Sequence, residues 1–241
     1  ALGHVIATTR YWIDRKYSGR LTKFNGLNGA LVWSKDFGTD TFFQRYGKMS
    51  VDGETAYMTG LFKGKDVSTA FAPLTTTPCE DGESVSVAVA AFDVSPSDAP
   101  VASWVTVIGC GSREGGTFVE GDFLYASGRL SSASTLTPAA GVAAATCKLT
   151  GAMGGFLVKL NKADGKCVWA KDMAATTRIV ANADSVWTAI GSSSAFTFDA
   201  DHVVNPADGD FVVGKFRASD GVGLWGGRGG GGGDGMGGGQ G

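Results

Sequence analysis

Phe156-Leu157-Val158-Lys159-Leu160-Asn161-Lys162-Ala163-Asp164-Gly165-Lys166-Cys167-Val168-Trp169-Ala170-Lys171 is the stretch that decides the fold. An apolar run meets an Asp-Gly pair and a second apolar run follows. Asp-Gly and Asn-Gly are the strongest short hairpin signals, because both residues tolerate positive φ. The spacing recurs. Lys23, Lys159 and Lys215 each stand ten residues before Trp33, Trp169 and Trp225, and Gly29, Gly165 and Gly221 each stand four before the same Trp. Asn28, Asp164 and Asp220 precede those glycines. A degenerate copy runs from Val87 to Phe92, through the loop Asp93 to Pro100, to Val101-Ala102-Ser103-Trp104, with Ala91 where the others carry Lys.

After each hairpin comes a second pair of short apolar runs. Tyr46 to Ser50 turns through Asp52-Gly53 into Ala56 to Gly60. Thr117 to Val119 turns through Glu120-Gly121-Asp122 into Phe123 to Gly128, and Ile179 to Ala181 turns through Asn182-Ala183-Asp184 into Val186 to Gly191. The unit therefore holds four strands. Trp-to-Trp separations of 71, 65 and 56 residues fit one four-stranded blade plus loops, the period of a β-propeller. No segment sustains a 3.6-residue apolar period, so little helix is expected.

The expected fold is an all-β propeller of four-stranded antiparallel blades. Blades fall at about 19–62, 84–130 and 154–192, with part-blades at 1–18 and 209–225 and a Gly-rich loop or tail at 226–241. The lone strand from His4 to Trp12 and the hairpin from Asp210 to Trp225 could share one sheet and close a four-bladed ring. The preferred alternative is a segment of a larger ring, because 226–241 holds 12 glycines and supplies no apolar strand. The chain also opens without Met, which reads as a processed or excised segment.

Phe156 to Asn161 with Gly165 and Val168-Trp169-Ala170-Lys171, and Leu21 to Phe37 followed by Tyr57-Met58-Thr59-Gly60-Leu61-Phe62, resemble the bacterial-type seven-bladed β-propeller repeat. The Asp-Gly-x-x-x-Trp portion is also similar to the PQQ-like quinoprotein repeat. The resemblance spans the chain from about Gly19 onward. It implies a propeller and, for function, a surface or secreted protein more often than a quinone-binding enzyme.

Gly at 38 of 241 residues and few charges point to turns and buried strands, and 43% hydrophobic residues exclude a disordered chain over most of the length. A net charge of -2 gives no electrostatic reason to expect a nucleic-acid partner. No window is apolar enough for a membrane span. The even set Cys79, Cys110, Cys147 and Cys167, without a CxxC pair, fits two disulfides in an oxidising compartment. Cys79 and Cys147 are repeat-equivalent, and Cys110 ends near where the loop carrying Cys79 begins, so Cys79 is expected to pair with Cys110 and Cys147 with Cys167.

His4 and His202 are the only histidines, which leaves no base for a triad and no two-His metal site unless the chain ends meet. Asp199, Asp201, Asp208 and Asp210 have the oxygen chemistry for Ca²⁺ but lack the Gly and Glu of an EF-hand loop, so a solvated loop is the plainer reading. No other cofactor is expected. Trp33, Trp104, Trp169 and Trp225 read as packing between neighbouring sheets, with a sugar-stacking platform as the sharper alternative. The repeated lysines would line a channel or mark a polar strand face. The insertions Phe62 to Ser84 and Leu130 to Gly154 would project from one face and carry recognition. The leading function is a non-enzymatic extracellular or cell-surface module that binds or assembles with proteins or glycan. The alternatives are a quinoprotein-like or other channel-sited enzyme, and a structural subunit of a surface fibre or layer.

Overall fold

The computed structural model describes residues 3–13, 16–37, 45–62, 86–110, 113–130, 134–138, 147–151, 154–173, 176–191, 196–199, 202–204 and 211–229. Among them there is no helix, and the strands form four successive antiparallel sheets. The first sheet is β1 (Val5–Ile13), β2 (Lys16–Phe24) and β3 (Leu31–Phe37). In the second, β4 (Arg45–Asp52), β5 (Thr55–Phe62), β6 (Ser86–Asp93) and β7 (Val101–Cys110) pair in chain order. The third joins β8 (Arg113–Glu120), β9 (Phe123–Arg129), β13 (Gly155–Asn161) and β14 (Cys167–Met173). The fourth joins β15 (Thr176–Ala181), β16 (Ser185–Gly191), β19 (Phe211–Arg217) and β20 (Gly223–Gly229). A short hairpin of β17 (Phe196–Asp199) and β18 (His202–Val204) packs beside β20.

The innermost strands β4, β8 and β15 pack side by side in that order, as the inner strands of adjacent propeller blades do. Hydroxyls stitch them. The Ser50 hydroxyl of β4 donates to the Thr117 carbonyl of β8 at 2.7 Å, and the Thr59 hydroxyl of the neighbouring β5 to the Gly115 carbonyl of β8 at 3.2 Å.

Because side chains alternate across a strand, each sheet has two packing faces, and the core divides into three layers between four sheets. Leu21 and Trp33 meet Ala88, Ala90 and Phe92 between the first two sheets. Tyr57, Val89 and Trp104 meet Phe156, Val158 and Leu160 between the second and third. Tyr125, Leu157 and Trp169 meet Val212, Phe216 and Ala218 between the third and fourth.

Three expectations about organisation are corrected. The sheets cut the chain half a blade away from the expected boundaries: β3 and β4 both fall in 19–62 yet lie in different sheets, and β14 and β15 divide 154–192 in the same way. A hairpin with a tight turn reads identically whether it opens or closes a sheet, so the repeat carried the period but not the phase. The strand in 1–18 is no part-blade either. β1 pairs with β2 along its whole length and belongs to a different sheet from β20, so the described residues contain no sheet shared by the two ends. Third, Gly226 to Gly229 are not tail: they pair with Phe211 to Gly214 as the second half of β20.

The described parts of the insertion from Leu130 to Gly154, residues 134–138 and 147–151, pack against the sheets rather than project from them. β11 (Thr137–Pro138) adds to β7 as a fifth strand of the second sheet, β10 (Ser134–Thr135) pairs with β12 (Lys148–Leu149), and Leu136 and Leu149 are buried against the layer that holds Trp104. Its apolar residues have an inter-sheet core within reach, and burying them there outweighs exposing them. Cys147 and Cys167 form a disulfide with Cα atoms 6.2 Å apart, tying this strap to β14. Cys110 is disulfide-bonded as well. Cys79 and the other insertion, 63–85, lie outside the described residues.

Candidate functional site: the faces between and beyond the sheets

The repeated Lys, Gly and Trp converge on one device, the joint between a sheet and the next. Just past Lys23, Ala91, Lys159 and Lys215, the pairing with the outer strand slips by one residue. Such a bulge re-aims the side chains beside it. The outer-strand Trp then reaches the turn of the following sheet. The Trp33 indole N–H donates to the Pro96 carbonyl at 2.9 Å, that of Trp104 to the Lys162 carbonyl at 3.0 Å, and that of Trp169 to the Ala218 carbonyl at 3.1 Å. A buried indole needs a partner, and the turn supplies one that no strand has used.

The turn itself is one structure built three times. Asn25, Asn161 and Arg217 each accept at their carbonyl from Gly29, Gly165 and Gly221, at 2.8, 2.9 and 2.9 Å. The three glycines have φ of 68, 70 and 74°. Asn28, Asp164 and Asp220 fold a side-chain oxygen onto the backbone N–H two residues on. Gly165 and Gly221 lie directly under a tryptophan: a Cβ at Gly165 would stand 2.5 Å from the Trp104 ring, and one at Gly221 2.9 Å from Trp169.

The lysines serve the same joint. Lys23 Nζ donates to the Val94 carbonyl at 2.6 Å, and Lys159 Nζ to the Ala218 carbonyl at 2.8 Å. Both side chains are buried, so they do not line an open channel. Burial lowers the Lys159 pKa by penalising its charged form, and the ammonium lies 3.6 Å from the centre of the Phe123 ring. Tyr125, paired opposite Lys159, has its phenol pushed up to about 12 by desolvation first and by the charge of Glu120 second. Where Ala91 replaces Lys, the bond runs the other way: Lys162 of the third sheet reaches back to Asp52 at 2.6 Å.

Three of the four repeated tryptophans are buried at these joints, with Trp33 4%, Trp104 5% and Trp169 8% exposed. Trp225 is 52% exposed. It is the outer-strand Trp of the fourth sheet, and no further sheet follows among the described residues. By register, Trp187, Lys215 and Trp225 form the same row as Tyr125, Lys159 and Trp169. Val180 and Phe211, on the same face, are 55% and 50% exposed. At the other end of the chain, the turn at Gly29 is exposed, and a Cβ there would meet nothing within 4 Å.

Of the acidic set expected as a Ca²⁺ candidate, Asp201, Asp208 and Asp210 lie outside the described residues, and of Asp199 only the backbone is described, pairing with His202. Among the described residues no group of three His, Cys, Asp or Glu side chains could hold a metal ion. The exposed face around Trp187, Lys215 and Trp225 was not foreseen as a site. Its signal was present, since Trp225 is the last member of a series in which each member leans on the next.

No family model matches the chain, and no curated protein matches it. Among solved structures, BamB from Moraxella catarrhalis is similar at a TM-score of 0.29 and 13% identity, covering 93% of this chain and 77% of that one.

Proposed function

We propose that this chain is a non-enzymatic protein-binding module of an exported or cell-surface propeller. The observation that supports it most is the uncovered face of the fourth sheet, where Val180, Phe211 and Trp225 stand about half exposed around Trp187 and Lys215. Aromatic residues are enriched at interface centres, and Trp is a common anchor there. The bond between Cys147 and Cys167 supports an oxidising compartment, because cytosolic thiols are kept reduced.

A photo-reactive amino acid placed at position 225, with a second placed at Val101 on the outer strand of another sheet, tests this in the native source. The expected result is a protein adduct at 225 that is absent at 101. A glycan adduct, or none at 225, would overturn the reading.

A further inference from the structure

The two ends of this run of sheets are the two halves of one joint. Within the chain a Trp from one outer strand covers a Gly turn of the next sheet twice, at Trp104 on Gly165 and Trp169 on Gly221, with the indole donating to the second residue of the turn. Trp225 is a third such Trp, with no turn beneath it among the described residues. The turn Asn25 to Ala30 is a third such turn, with matching backbone bonds and matching φ, and among the described residues no side chain lies within 4 Å of where a Gly29 Cβ would stand. Its second residue is Gly26, exposed although the Gly3 carbonyl lies against its Cα, and Leu27 and Leu31 beside it are 68% and 61% exposed.

We propose that a second copy of this chain docks head to tail, Trp225 of one copy seated on the Gly29 turn of the next. This rests on the end face being a protein-binding surface, and it names the partner. In the docked arrangement the Trp225 indole donates to the Gly26 carbonyl and the Lys215 ammonium reaches the same turn, as Trp169 and Lys159 both do at Ala218. Because the two surfaces differ, the contact is heterologous and extends into a ring or a filament rather than stopping at a pair.

The joint is weaker than those inside the chain. Where Phe156, Val158 and Leu160 or Val212 and Phe216 present apolar faces to the preceding sheet, the first sheet presents Phe24, Thr22 and Arg20, with Thr22 bonded to Ser34 and Arg20 to Asp36. That part carries a salt bridge and a hydroxyl pair in place of apolar side chains, so less apolar area is buried there and the association is reversible and depends on concentration.

Sedimentation of the full 241-residue chain from about 1 µM to about 500 µM tests it, since self-association follows mass action. The weight-average mass is expected to rise at least twofold from 24.7 kDa. Trp225→Ala and Gly29→Asn, the latter keeping a residue that tolerates positive φ, are each expected to hold the mass at one chain. An equimolar mixture of the two is expected to reach two chains and no more, because each variant keeps one intact half. Leu27→Glu serves as a second variant of the turn, and far-ultraviolet circular dichroism checks that each is folded. A wild-type chain that stays at 24.7 kDa, variants that associate like wild type, or a mixture that stays monomeric would each overturn the head-to-tail contact. A foreign protein adduct at position 225 with a monomeric chain would sink this inference while leaving the binding module standing.

Discussion

The joint between the third and fourth sheets and the uncovered face beyond the fourth are built from the same pattern, an aromatic, a Lys and a Trp, in the same register. Tyr125, Lys159 and Trp169 form the one row, Trp187, Lys215 and Trp225 the other. In the joint, Trp169 is 8% exposed and bonded to Ala218; beyond the fourth sheet, Trp225 is 52% exposed. The difference lies in the neighbour, not in the row. A residue type that is buried wherever a sheet follows it stands half exposed where no further sheet follows among the described residues.

Truncating the two tryptophans separates these roles most sharply. Trp169→Ala removes a large buried ring and leaves the Ala218 carbonyl short of a donor, so it should cost about 3–5 kcal/mol. Trp225→Ala at low concentration should change stability by less than about 0.5 kcal/mol, as surface changes do. Urea unfolding of both variants checks the pair. Equal losses would mean that Trp225 is covered within the chain.

The second comparison is between two covered joints. The one that holds Trp104 carries the strap with Leu136 and Leu149, held by Cys147–Cys167, a crosslink spanning 20 residues. Closing a loop of that length stabilises by about 3 kcal/mol in the chain-entropy model. Replacing both cysteines by Ser should lose about that much. Hydrogen exchange should then speed up in β7, β11 and β13 before β15 and β16. Uniform loss across all sheets would break the distinction.

How far the sequence carries can be argued from these same residues. The fold class was legible because Lys, Gly and Trp recur at fixed spacing, and that spacing reflects a hairpin of constant length with a bulge at a constant place. The sheet phase was not legible, since the repeat fixes the succession of hairpins but not whether the step from β3 to β4 stays within a sheet or passes to the next one, which only the pairing partners decide. The role of Lys159 was hidden for a related reason. Its partner at Ala218 lies 59 residues away, and a backbone carbonyl leaves no mark in a sequence. The uncovered face was half visible, because Trp225 was the end of a series but its neighbour could not be counted.

A smaller contrast uses the glycines, with Ala placed at Gly165 and at Gly29. Both sites have positive φ, so both variants carry about 1–2 kcal/mol of left-handed strain. Only at Gly165 does the new Cβ also fall 2.5 Å from the Trp104 ring. Overpacking of that kind adds about 1–3 kcal/mol. Gly165→Ala should therefore unfold at lower urea than Gly29→Ala by that difference, and identical midpoints would mean that the ring gives way freely.

The smallest effect concerns Lys159, and it shows as a slope against pH rather than as an offset. Its pKa is lowered in the folded protein, so between that value and the unfolded value of 10.5 the unfolded chain binds more protons, and folding is favoured as pH rises through the window. Lys159→Met keeps the buried stem and removes the titration. At neutral pH the two proteins should differ by less than about 1 kcal/mol, because relief of the buried charge offsets the lost bond to Ala218. As pH is raised toward 10.5, the wild type should gain on the variant. If the difference stays flat, burial does not hold the Lys159 proton weakly, and the ammonium in the covered joint is as well solvated by its carbonyl and the Phe123 ring as it would be in water.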